Sequence, residues 1–142
     1  MAKLDTRTTR LGAVLQFEER PEYGYCRKVV TVNEETAKNY VVGTVLGKVT
    51  ADGKYKVLEA TALDGSKDFG GIYIGSPDGH DAQAIPATTD VEVVILYRGP
   101  AGVGDGYLVF GESVDTAGEK EAVYAQMDAV GIAVLNQPNQ FA

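Results

Sequence analysis

The stretch ALDGSKDFGGIYIG, residues 62–75, places two aspartates, a lysine and four glycines within fourteen positions. Carboxylates and glycines at this density are the raw material of a calcium loop or a phosphate cradle. An EF-hand-type loop beginning at Asp64 needs glycine at its sixth position and a bidentate glutamate at its twelfth. Those positions hold Phe69 and Gly75. A Walker loop needs Gly-Lys-Ser/Thr running directly into a helix, whereas Gly70 and Gly71 run into the strand-like IYI. The reading left is mechanical. Asp64, Gly65 and Ser66 reverse the chain, and Gly70 and Gly71 let another backbone approach closely.

The other candidates for chemistry are sparse. His80, in SPDGHDAQ, is the only histidine, so multi-histidine zinc sites are excluded and a cage of Asp78, His80 and Asp81 has too few ligands of the right kind. No serine, and not the single Cys26, sits in a nucleophile-elbow context. The glycines of GPAGVGDGY (99–107) lead into GYLVF rather than opening a helix, so they read as a hairpin or surface loop and not as a dinucleotide fingerprint. That stretch is weakly similar to the nucleoside-binding hairpin of trimeric dUTPases, whose accompanying motifs are missing. Tyrosines fall one per element (Tyr40, Tyr55, Tyr73, Tyr97, Tyr107, Tyr124), as half-buried sheet positions are filled. Catalytic residues, metal ligands and cofactor sites are therefore all expected to be none.

The elements around these residues read as strands. Glycine supplies 17 of 142 residues and is spread between short apolar runs, the pattern of many strands joined by tight turns. VVTV (29–32), YVVGTVLGKVT (40–50), KYKVL (54–58), GIYIG (71–75), VEVVILY (91–97), GYLVF (106–110) and IAVL (132–135) form the series. Asp52-Gly53 predicts a type I′ hairpin between the second and third runs. The exception is TAGEKEAVYAQMDAVG (116–131). Its Val123, Met127 and Val130 lie at helical spacing, Thr116 and Glu119 form a capping-box pattern, and Gly131 marks the stop. The spacing predicts a helix over about 117–129.

Composition bounds the partners. A chain of 142 residues makes one domain and buries roughly 70% of its unfolded surface without staples. One cysteine forms no internal bridge, consistent with a reducing compartment. No apolar run approaches the ~20 residues of a membrane span, so a soluble, unprocessed protein and no membrane partner are expected. The net charge is −7 and unevenly placed. Residues 1–30 carry six basic and four acidic side chains, and the remaining residues sum to −9. An acidic body repels phosphate backbones, which argues against nucleic acid as a partner.

Residues 1–28 read as an extended arm and 29–142 as a β-rich body. In the arm, Lys3, Arg7 and Arg10 precede the alternating patch Leu11, Ala13, Leu15, Phe17, with Leu4 adding an apolar side chain. So short a segment buries too little area to order itself, and it is expected to be mobile when free.

Taken in order, KVVTV, VGTVLGKVTADGKY, ALDGSKDFGGIYIG, TTDVEVVILYRGPAGV, GYLVFG, the helix and GIAVL resemble the lambda-type head decoration proteins of tailed bacteriophages, over approximately residues 28–135. The resemblance implies a mainly β, mixed α+β fold: a compact sheet- or barrel-like body, one short helix near the C-terminus and an extended N-terminal arm. It implies a structural virion protein and no enzyme. Such a protein is made in the host cytoplasm and sits on the outer surface of the expanded head. There it binds the major capsid protein as homotrimers at three-fold positions and holds the head against internal DNA pressure. Lys3, Leu4, Arg7, Arg10, Leu11, Leu15 and Phe17 are then the expected capsid-binding arm. Asp52, Gly53, Asp64, Gly65, Gly70 and Gly71 are expected to serve structural turns. Free protein is expected to be monomeric or weakly associated. A longer N-terminal stretch and the tail NQPNQFA depart from the shortest members of that family. The competing readings are a small trimeric all-β enzyme of the dUTPase type and a glycan-binding module on the virion.

Overall fold

Alternation along the β-branched runs gives each strand two faces, and this fold uses both. In the computed structural model, which describes residues 14–19 and 24–135, five strands close into a barrel. Their order is β2 (Arg27–Val32), β5 (Tyr55–Val57), β4 (Val45–Lys48), β6 (Phe69–Gly75) and β8 (Val91–Leu96), and β8 pairs back onto β2. The closing pair is antiparallel and continuous from Arg27↔Leu96 to Val32↔Val91. Val30, Val32, Leu46, Tyr55, Val57, Tyr73, Val93 and Ile95 fill the lumen.

The opposite face of the same strands supplies a second core. Val45, Ile72, Ile74 and Leu96 pack there with Val103, Ile132, Val123 and Met127. The latter come from a three-stranded sheet, β1 (Leu15–Glu18), β9 (Ala101–Gly104) and β10 (Ile132–Leu135), and from helix α1 (Ala117–Ala129). β9 is central, antiparallel to β1 and parallel to β10. A two-stranded ribbon, β3 (Lys38–Val41) with β7 (Ala82–Ile85), adds Tyr40 and Ile85 to the barrel core.

The helix has the limits and the capping box that its sequence predicts: the Thr116 hydroxyl accepts from the Glu119 N–H at 3.2 Å, and Glu119 accepts in return from the Thr116 N–H at 3.3 Å. Val123 and Met127 are buried, but Val130 lies at the C-cap and is exposed. Several other expectations are corrected. YVVGTVLGKVT is two strands in different sheets, because Gly43, at φ +105°, turns the chain and leaves room only for the Tyr107 carbonyl. The Asp52-Gly53 turn is not type I′: Gly53 has φ +72° but Asp52 does not share the positive φ. Instead the Asp52 carboxylate accepts from the Lys54 N–H at 2.9 Å within a longer loop. GPAGVGDGY is neither hairpin nor surface loop, since its AGVG is the fully buried strand β9. GYLVF is not a strand: Asp105–Tyr107 form a 3-10 turn, and Val109 makes a single bridge to Thr44.

Part of the expected arm belongs to the body. Val14 is fully buried in the second core, Leu15–Glu18 pair with β9, and Arg27 and Lys28 begin a barrel strand. Lys3, Leu4, Arg7, Arg10 and Leu11 lie outside the described residues.

The loop that raised the question of metal or phosphate is held by its own polar groups. Asp64 Oδ1 accepts from the Ser66 N–H at 3.0 Å and from the Ser66 hydroxyl at 2.6 Å, and Oδ2 pairs with Lys56 Nζ at 3.0 Å. Backbone N–H groups of Thr50 and Glu59 donate to the carbonyls of Asp64 and Ser66. Gly65 sits at φ +104° against the Lys48 carbonyl, and a side chain at Gly47 would strike the Ser66 backbone. The Ser66 hydroxyl and N–H, with Lys56 behind them, hold the Asp64 carboxyl well below the usual carboxylate range.

Gly71 faces the lumen beside Ile95, and a Cβ there would lie 2.6 Å from Ile95 Cδ1. Gly71→Val should therefore destabilise the protein by about 3 kcal/mol in urea unfolding. His80→Ala, at an exposed residue whose backbone closes the turn onto Ser76, should shift it by less than about 0.5 kcal/mol. Equal effects would contradict the packing account. Folding lowers the Asp64 pKa from 3.8, so the ionised carboxylate stabilises the fold above that value and its share is lost as the pH falls through and below it. Asp64→Asn should melt below wild type at neutral pH, by less than Gly71→Val, with the gap closing towards about pH 2.5. A gap that stays constant with pH would show that ionisation is not involved.

Candidate interaction surface

Concave chemistry is scarce. Among the described residues a groove of about 710 Å³ runs past Lys38, Tyr40, Glu59, Phe110, Glu112 and Ser113. Behind it Glu34 is buried, yet its carboxylate is satisfied by the Tyr40 hydroxyl and by the Val57 N–H at 2.8 Å. Burial, then the hydrogen bond to Glu34, pushes the Tyr40 hydroxyl far up. Tyr73, edge-to-face with Tyr40 at 5.4 Å, is pushed up to about 12 by burial and by Asp81. These groups tie the segment after β2 to β3, β5 and β6, and present no free acid or base to the groove. Among the described residues no three His, Cys, Asp or Glu side chains are placed to hold a metal ion, and no helix is long and apolar enough to cross a membrane. Cys26 is buried, its thiol donating towards the carbonyls of Pro100 and Glu19 at 3.6 and 3.7 Å.

Convex features are better developed. Leu63 is fully exposed at the tip of the loop pinned by Asp64 and Ser66. An apolar side chain held out on a rigid loop loses little conformational freedom when a partner covers it. Phe17, of the expected arm, lies on β1 with its ring over Gly102, where any side chain would collide with it, and half of the ring remains open to solvent. Leu15, on the opposite face of β1, packs into the core. Phe17, Gly102 and Ala133 stand in register across the three strands, and Leu135 extends that outward face. Among the described residues β1 and β10 each have one strand neighbour, so both present an edge of the kind that accepts an added strand.

The electrostatics of the surface are also uneven. Arg27 is paired with Glu18, Lys54 with Asp90 at 3.0 Å and Lys56 with Asp64. Lys28, Lys48 and Arg98 instead contact aromatic rings. Lys28 Nζ is 4.4 Å from the Tyr97 centroid and 5.7 Å from that of Tyr55, which Lys48 approaches to 6.0 Å. The Arg98 guanidinium is 4.2 Å from Tyr25 and 5.0 Å from Tyr97. Sequence reasoning passed over this row because its members are separated along the chain and meet only when β2 closes on β8.

Of the expected turn residues, Asp64 and Gly65 shape the Leu63 loop and Asp52 and Gly53 the β4–β5 loop, whereas Gly70 and Gly71 are not in a turn: they lie within strand β6, where the Tyr55 ring and the Ile95 side chain take the space of a Cβ. No curated protein matches the chain. The family model for bacteriophage lambda head decoration protein D matches residues 5–132, which takes in the barrel, β9 and α1 and reaches the first residue of β10. The chain belongs to that family of phage head decoration proteins.

Proposed function

We propose that this protein binds the exterior of the expanded phage head as trimers at three-fold positions, bridging major capsid subunits and stabilising the shell against internal DNA pressure. The observation that carries this reading is the family match across residues 5–132. The relief of the body supports it: the surface offers a rigid apolar knob, an apolar sheet face and two strand edges, which suit burial against a partner. Contacts of this kind need not be strong singly. At ~800 Å² buried per partner, many copies over a shell stiffen it collectively.

Two parts of the surface carry the binding. One is the arm, in which Lys3, Arg7 and Arg10 meet acidic groups of the shell while Leu4 and Leu11 add apolar contacts, continuous with the exposed Phe17 on β1, Leu15 being turned into the core. The other is Leu63. Because Val14 and β1 belong to the body, the arm deletion that spares every described residue is residues 2–13.

Sedimentation with undecorated expanded heads tests both. Deleting residues 2–13 should leave the thermal melt near wild type while head binding falls by at least about a hundredfold. Unchanged saturation of heads would place binding wholly in the body. Leu63→Asp should leave stability within about 0.5 kcal/mol and weaken head binding about tenfold, as loss of a centrally buried apolar anchor does. A variant that binds heads like wild type would remove Leu63 from the interface.

A further inference from the structure

The row of Lys48, Tyr55, Lys28, Tyr97, Arg98 and Tyr25 is unusual for a chain of net charge −7. Lys28 shares the lumen-facing side of β2 with Val30 and Val32, and pairs across to Ile95 on β8. Lys48 stands opposite Tyr55 at the end of β4. These two lysines therefore share the Tyr55 ring at the barrel rim, and Lys28 in turn shares the Tyr97 ring with Arg98. Arg98, just beyond β8, extends the row outward: its Nε donates to the Tyr25 carbonyl at 2.8 Å, and its guanidinium lies 4.2 Å from the centroid of the half-exposed Tyr25 ring.

An aromatic face attracts a cation but does not neutralise it. Among the described residues none of these three cations is within ion-pairing distance of a carboxylate, although Arg27, Lys54 and Lys56 all are. Neighbouring members of the row share a ring, Lys48 and Lys28 that of Tyr55, Lys28 and Arg98 that of Tyr97, so like charges are gathered on one rim and repel one another. Such a row is preorganised for an anionic partner, and binding relieves the repulsion. A long polyanion is disfavoured, because the surrounding body is strongly acidic and only three charges are available. A short acidic peptide segment fits: its carboxylates meet the cations, and its backbone lies over the exposed part of Tyr25.

We infer that this cation–aromatic row at the barrel rim is a docking site for an acidic segment of the shell protein. The chemistry of the ligand follows from the row itself, whereas its source rests on the decoration reading above.

The test uses the full chain and a triple variant, Lys28→Met, Lys48→Met and Arg98→Met, which keeps unbranched apolar stems against the rings. Hexaglutamate, with hexaglutamine as control, is titrated at low salt while the ring resonances of Tyr25, Tyr55 and Tyr97 are followed by NMR. Saturable shifts in wild type that are absent in the variant and with hexaglutamine are expected. In parallel, head binding by the variant should fall about tenfold at low salt, with the difference shrinking at high salt. Should the triple variant fail to fold, Arg98→Met alone, at an exposed position, should still lose part of both responses. If wild type saturates heads and the folded variant does so equally at low salt, the inference fails while the decoration reading stands. If wild type does not bind heads, the decoration reading fails, and the peptide titration alone decides the row: no saturable shift overturns it. Concentration-dependent self-association in sedimentation velocity that the variant abolishes would assign the row to a second copy and overturn its assignment to the shell.

Discussion

The barrel closes around a position that has no side chain. Gly71, in the middle of β6, leaves to Ile95 of β8 the lumen volume that any other residue would occupy. With that space filled from one side only, β6 and β8 pair, and β8 in turn pairs with β2 along its full length. Everything outside the barrel depends on this closure. Ile72, Ile74 and Leu96, alternating with the lumen residues, form the floor on which β9, β10 and α1 pack. One strand set thus serves two cores, and a change inside the lumen is felt on the outer sheet through the same backbone.

Closure also determines what the surface can do. It brings the end of β8 beside the start of β2, which places Arg98 and Tyr97 against Tyr25 and Lys28. It sets β4 next to β6, so that Gly47 can lie against the Ser66 backbone and the Leu63 loop is pinned from below. Polar groups serve as fasteners: Asp64 locks a turn, and Glu34 joins Tyr40 to the β5 backbone. Asp64, which raised the question of a metal loop, and the buried Glu34 are thus occupied in holding a rigid relief. A protein that acts by covering a surface needs that rigidity, because each mobile loop would add an ordering cost to every contact.

The parts legible in the sequence are those with local causes. The capping box of Thr116 and Glu119, the stop at Gly131 and the β-branched runs of β2 and β8 depend on neighbours a few residues away. β9 was not legible, because its AGVG lacks the bulk of a strand. That bulk is supplied by Phe17, whose ring occupies the space above Gly102. β7 was missed for a similar reason, since AQAI carries little β propensity and is held by pairing with β3. The boundary of the arm was displaced towards the body because Val14 and Leu15 have packing partners far along the chain, in β9 and around Met127. The cation–aromatic row has no linear signature at all, since its residues run from Tyr25 to Arg98.

The proposed seat of this relief is the outside of a phage head. The most direct measurement is a cryo-electron microscopy reconstruction of undecorated expanded heads incubated with the purified protein. Added outer density is expected at the three-fold positions, each with three copies of a five-stranded barrel whose Leu63 loop or barrel rim faces a capsid subunit. Heads with no added density, or density in which both features point into solvent, would contradict it.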